Sequence, residues 1–272
     1  MEIWGWARRE HIEKVQGRYT KMSMGLNINT PDYIWRAEAG AKGAGIYGRE
    51  RASRYVLNIL GMGDERWPKI CLREELRGLG NQEPSRWGKE MKDAWEEAGS
   101  GEIIKMMREE QPLDEIRKKM DEALNILKNQ EIQKGWEKID KSEYWGRYKD
   151  IKESWGIEKY WGAREFSSKI KEQWARLRYG NISKEGKKGF LDMKCRVYKR
   201  QDETFSHIWQ CQEARGRISK DVVKKLDEWR GEDKIRGSWA NIIVNALKGV
   251  VVLEVCDYAR EFEKLIRMEK MV

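Results

Sequence analysis

Helix breakers are scarce in this chain: 272 residues include four prolines, against 55 Lys and Arg and 46 Asp and Glu. A charged, proline-poor sequence predicts an all-α fold, an irregular array of many helices. Long hydrophobic runs are absent as well. The most apolar window, 240–256, still contains Asn241, Asn245, Lys248 and Glu254, so no membrane span is expected. Met1-Glu2-Ile3-Trp4 has no basic segment followed by an apolar one. No secretory signal is read from it, and an intracellular location, nuclear or cytoplasmic, is expected. Four cysteines without such a signal do not make a disulfide scaffold, and the Asn181-Ile182-Ser183 sequon then carries little meaning.

The motifs of common active sites are also missing. There is no His-Glu-x-x-His, no Gly-x-Ser-x-Gly and no Asp-Asp pair. Gly40, Gly43, Gly45 and Gly48 are followed by no Gly-Lys-Ser/Thr, which reads as a flexible loop rather than a phosphate cradle. Nothing assembles a catalytic constellation, and no enzymatic activity is expected.

Tryptophan is abundant, with 14 copies, and speaks against disorder despite a mean hydropathy of −0.87. The net charge of +9 is unevenly placed. Residues 1–163 hold 30 basic and 29 acidic side chains, 164–200 hold 12 and 4, and 201–272 hold 13 of each. Confinement of the excess to 37 residues fits a phosphate-binding surface. It also fits a solvated, lysine-rich loop.

Apolar spacing predicts helices over most of the chain. Glu10–Thr20 places Ile12 and Val15 on one face, and Thr30-Pro31 reads as an N-cap and first helical residue. Arg49–Leu60, Asp64–Gly78 and Pro84–Glu97 follow. Leu113, Ile116, Met120, Leu124 and Leu127 step by 3, 4, 4 and 3, the clearest amphipathic pattern, opened by Pro112 and extending toward Ile139. Ile170, Trp174 and Leu177 mark a helix ending near Gly180. Ser219 is read as one cap, and Ser238 as the cap of a last long helix running through Val250 and Leu253. A short turn is expected around 193–199. The glycines at 61 and 63 and the onset of the basic block divide the chain into 1–63, 64–163 and 164–272.

Cys195, His207 and Cys211 are the sharpest local signal, spaced Cys-x11-His-x3-Cys. Thiolates and imidazole are zinc donors, and a structural site takes four in a tetrahedron. The position that would complete a Cys-x2-Cys knuckle is Tyr198, whose hydroxyl ionises only near pH 10 and ligates zinc poorly. Weak or substoichiometric zinc is therefore expected at neutral pH. The same spacing fits two buried cysteines and a hydrogen-bonded histidine. Cys71 and Cys256 read as core residues, and His11 as a surface one. In the basic block, Arg176, Arg178, Tyr179, Lys184, Lys187, Lys188, Lys194, Arg196, Lys199 and Arg200 are the candidate nucleic-acid contacts. Trp174 and Phe190 read as core, Tyr179 and Tyr198 as exposed.

The segment Lys194–Cys211, with Cys195, Glu203-Thr204, His207 and Cys211, resembles the C-terminal Cys-Cys-His-Cys region of insect non-LTR retrotransposon reverse transcriptases. Arg178-Tyr179-Gly180-Asn181 is similar to that family's Arg-x-Gly-Asn stretch upstream of the knuckle. Glu2-Ile3-Trp4-Gly5-Trp6, Glu13-Lys14-Val15-Gln16 and Leu26-Asn27 through Ile34 resemble the segment that begins its helical thumb. The resemblance implies that 1–63 is thumb-like, 64–163 a connector, and 164–272 a tail that holds template RNA or target DNA. It implies nonspecific, phosphate-led binding of RNA or DNA and no membrane partner. It further implies that the full-length family is an RNA-directed DNA polymerase whose palm and endonuclease parts this sequence does not contain. A helical interaction protein, or a non-functional remnant, is the competing reading.

Overall fold

The computed structural model describes residues 5–7, 9–81, 83–185, 190, 192–232 and 237–269. Among the described residues it contains fifteen α-helices and no strand. Extended backbone pairs there at two isolated bridges, Ala39 with Ile157 and Lys194 with Asp202. In chain order the helices are α1 (Glu10–Ser23), α2 (Asp32–Ala39), α3 (Ala44–Leu60), α4 (Trp67–Gly80), α5 (Arg86–Glu97), α6 (Glu102–Arg108), α7 (Leu113–Asp140) and α8 (Tyr148–Ile151). They continue with α9 (Lys159–Gly162), α10 (Ser168–Arg178), α11 (Phe205–Gln210), α12 (Gln212–Arg217), α13 (Lys220–Glu232), α14 (Trp239–Lys248) and α15 (Leu253–Glu269). The fold is the expected irregular all-α array. No helix among the described residues is long and apolar enough to cross a membrane.

The chain forms two compact units, each with its own core. One comprises Met1–Gly17 and Lys42–Lys134, the other Arg18–Ala41 and Gly135–Val272. In the first, Trp6 meets Trp95 edge-to-face at 5.2 Å, above Val56 and Ile59 of α3, Leu72 and Leu76 of α4 and Met91 of α5. The predicted stripe of α7 is the buried one, with Ile116, Met120, Leu124 and Leu127 all inside.

Two expectations are corrected in this unit, the glycine loop and a buried Cys71. The glycine loop is shorter than the four glycines suggest, because α3 starts at Ala44 and runs through Gly45 and Gly48. Gly48 lies against the backbone of Gly5, where a Cβ would come within 2.9 Å of the Gly5 carbonyl oxygen. Bare backbone is what lets the two segments touch. In α1, Ile12 and Val15 share a face that is exposed, while Glu13 and Gly17 are buried. A carboxylate can face inward there because Glu13 accepts the Gly45 N–H at 3.0 Å. Cys71 is exposed, not core.

In the second unit, α10, α14 and α15 pack around Trp174, Leu177, Ile243, Leu247, Val255, Tyr258 and Phe262. The single long C-terminal helix is corrected to two. α14 opens on Ser238, whose hydroxyl accepts the Asn241 N–H at 3.4 Å, and it stops at Gly249 with φ −99° and ψ −143°. That turn leaves Val250 81% exposed. The N-terminal boundary of α2 also shifts. Pro31 is its cap, and Thr30 is buried, 3.5 Å from the Asn181 side chain.

Candidate metal centre

A tight turn and a short helix bring the three donors together. The turn is closed by Cys195 N–H to Gln201 O at 2.6 Å, Lys199 N–H to Cys195 O at 2.8 Å and Glu203 N–H to Met193 O at 2.8 Å. Lys199 takes a left-handed conformation, φ 63°, so that the chain can reverse within so few residues. Thr204 then caps α11, its hydroxyl accepting the His207 N–H at 3.1 Å. One helical turn separates His207 from Cys211, and the Cys211 N–H closes that turn on His207 O at 2.8 Å.

Glu203, named above only within the family motif, and Lys184, named as a nucleic-acid contact, brace the turn. Glu203 is fully buried, accepts the Arg196 N–H at 2.9 Å and is ion-paired with the Arg196 guanidinium. Lys184, also buried, donates to the carbonyls of Asp192 at 2.8 Å and Lys194 at 2.7 Å. Beneath α11, Phe205 packs edge-to-face on Trp145 at 5.0 Å, and Tyr258 donates to Ile208 O at 2.9 Å.

The Cys195, His207 and Cys211 donor atoms lie within 4.8 Å of one another, a group that could hold a metal ion. The two sulfurs are 3.9 Å apart and both residues are buried. Tyr198 donates its backbone N–H to Cys195 Sγ at 3.3 Å, and its ring stacks on His207 at 6.4 Å. Tyr198 itself is half-buried. The Nε2 of His207 is buried and has no hydrogen-bond partner among the described residues. A hydrogen bond from Cys211, then the Tyr198 and Val197 amides and His207, hold the Cys195 thiol well below its ordinary range. The same sulfur contact, with burial, pushes Cys211 up. The opposite directions have one cause, the contact between the two sulfurs: it favours a negative charge on one of them and disfavours a second.

The candidate nucleic-acid contacts separate into three groups. Lys194, Lys199 and Arg200 are exposed on the turn itself, Lys194 3.1 Å from Asp202 and Arg200 over the Tyr198 ring. Arg176 and Arg196 are partly exposed and ion-paired, with Glu263 and Glu203 respectively. Arg178, Tyr179 and Lys184 are buried, which corrects the expectation of an exposed Tyr179. Phe190 is corrected in the opposite sense: it is 43% exposed, under the Lys184 ammonium. Lys187 and Lys188 lie outside the described residues.

Arg178 and Tyr179 belong instead to a buried polar cluster. Glu38, fully buried, accepts from Arg178 Nε at 2.5 Å and from the hydroxyls of Tyr148 and Tyr160, each at 2.9 Å. Tyr179 stacks on Tyr148 at 5.9 Å. Gly180 follows with φ +65°, and a Cβ there would fall 2.5 Å from the Trp145 ring. The Arg178-Tyr179-Gly180 stretch is thus built for the core.

No family model, no curated protein and no solved structure matches the chain.

Proposed function

We propose that the chain is a nucleic-acid-binding module, related to the thumb and tail of insect non-LTR retrotransposon reverse transcriptases, that binds RNA or DNA through phosphates, without sequence preference. One observation carries the reading: Lys194, Lys199 and Arg200 are exposed on the same turn that supplies Cys195 to the metal centre. A turn pinned by metal would hold those cations in fixed array, and cations release counterions from phosphates. The ion proposed is zinc. Two sulfurs bound at about 2.3 Å in a tetrahedron stand about 3.8 Å apart, and the sulfurs here are 3.9 Å apart. The free Nε2 of His207 suits a third bond. With Tyr198 in the knuckle's remaining place, three protein donors hold the ion, more weakly than four.

Charge reversal tests the reading. The 272-residue chain carrying Lys194→Glu, Lys199→Glu and Arg200→Glu should lose most of its gel-shift affinity for a single-stranded RNA at low salt, while keeping its helical circular dichroism. Equal shifts by variant and wild type would refute it. The chain by itself is also expected to extend no primer. Burial of Arg178 and Lys184 favours the second reading, a helical interaction protein, since it takes two cations off any surface. Under that reading neither protein shifts the RNA.

A further inference from the structure

We infer that Cys195 and Cys211 are a modification site, closing to an intrachain disulfide when a hydroperoxide reaches them in the metal-free chain. The inference rests on the metal-centre reading only for the part that zinc plays; the sulfur chemistry needs no metal. Its basis is a juxtaposition: two sulfurs 16 residues apart in sequence stand 3.9 Å apart, with the His207 imidazole in the same cluster. The other two cysteines offer no such pairing. Cys71 is exposed on α4, and Cys256 is buried on α15 outside the cluster.

A disulfide needs its sulfurs about 2 Å apart, so they must approach by a little less than that again. Both attachment points are non-helical. Cys211 sits between α11 and α12 with φ −59° and ψ 106°, and Cys195 is on the turn whose Lys194, Lys199 and Arg200 face solvent. Access is short as well, since the half-buried rings of Tyr198 and His207 stack together beside the sulfurs. A small hydroperoxide needs only a local opening to pass them.

The chemistry balances with hydrogen peroxide. A thiolate attacks one peroxide oxygen, the O–O bond breaks, and the other oxygen leaves as water after taking up a proton. The first sulfur is now a sulfenic acid. The second thiol attacks that sulfur, the S–O bond breaks, and the thiol proton passes by way of the His207 imidazole to the hydroxyl, which departs as water. Two thiols and one peroxide give one disulfide and two waters, the sulfurs oxidised and the peroxide reduced. The product has lost both sulfur donors, so disulfide and metal exclude each other. A four-donor knuckle protects its thiolates with a closed shell, whereas Tyr198 leaves this one incomplete.

The test uses the full wild-type chain. Stripped of metal with a chelator and exposed to dilute hydrogen peroxide, it should resist alkylation at Cys195 and Cys211 and give a non-reduced peptide map joining those two residues. Cys211→Ser should give no such peptide. Alkylation of both sulfurs after peroxide, or a bridge to Cys71 or Cys256, would overturn the inference. In a second arm, excess zinc should slow the bridge at least about tenfold by holding the thiolates. If the bridge forms equally fast with zinc, the modification site stands and the metal reading falls. If zinc binds at one equivalent and no bridge ever forms, the metal reading stands and this inference falls.

Discussion

Glu38 is a carboxylate with no solvent exposure, held by Arg178, Tyr148 and Tyr160, while Arg178 reaches on to Glu158 at 3.2 Å. Removing Glu38 leaves the buried Arg178 charge with only the partly exposed Glu158 and takes the carboxylate acceptor from two buried tyrosine hydroxyls. Glu38→Ala should therefore destabilise the fold by about 3–5 kcal/mol in urea unfolding; a loss below about 1 kcal/mol, the size of an exposed pair, would contradict the role given to the cluster. Burial first, then the Glu38 charge, raises the pKa values of Tyr148, Tyr160 and Tyr179 well above 10. Raised values favour the protonated, folded form. Stability from these groups is complete below pH 10 and is lost as pH rises past it, by about 1.4 kcal/mol per pH unit for each tyrosine. A urea midpoint that stays constant above pH 10 would exclude this. Arg178 was not legible as a core residue because its partner lies 140 residues away, and a basic neighbourhood looks the same on a surface or around a buried acid. Cys195, His207 and Cys211 were legible because a turn and one helical step fix their spacing. Tyr198→Cys at the remaining place should raise zinc affinity at least about tenfold, the scale on which supporting groups tune metal sites. Chelator competition reads it, and equal affinities would show that the turn is not a knuckle.

At the scale of elements, α11 matters most, because it carries His207 and leads into Cys211. Its six residues are too short to stand without their cap and their aromatic bed. Thr204→Ala should cost about 1 kcal/mol through the lost hydroxyl acceptor, and it should weaken zinc binding together with stability. Unchanged zinc affinity would mean that α11 is held by Phe205 and Trp209 alone. The stripe of α7 could be read directly, since Ile116, Met120, Leu124 and Leu127 step by three or four and all lie inside. The break between α14 and α15 could not, because apolar residues continue through Val250 and Val251 and only the Gly249 backbone ends the helix. Gly45 and Gly48 misled in the other direction. They look like a loop, but both lie inside α3, where the missing side chain of Gly48 serves a close backbone approach to Gly5 and the Gly45 N–H is bonded to Glu13.

At the scale of the whole chain, the packing units interleave stretches that the composition separates, because α1 and α7 each cross from one unit's residues to the other's. The charge excess of residues 164–200 was visible in the sequence, but its division between buried pairs and an exposed turn was not. That division sets the size of the expected effect. Three exposed cations near the metal centre, with Lys187 and Lys188 beside them in sequence, can neutralise three to five phosphates. The most direct measurement is fluorescence anisotropy of a labelled single-stranded RNA against salt. A single strand gives a slope of log affinity on log salt near −0.7 per phosphate contact, so wild type should fall between about −2 and −3.5. The Lys194→Glu, Lys199→Glu, Arg200→Glu protein should lie about 2 shallower. Superimposable slopes, or no binding at low salt by either protein, would contradict the assignment of this turn to nucleic acid.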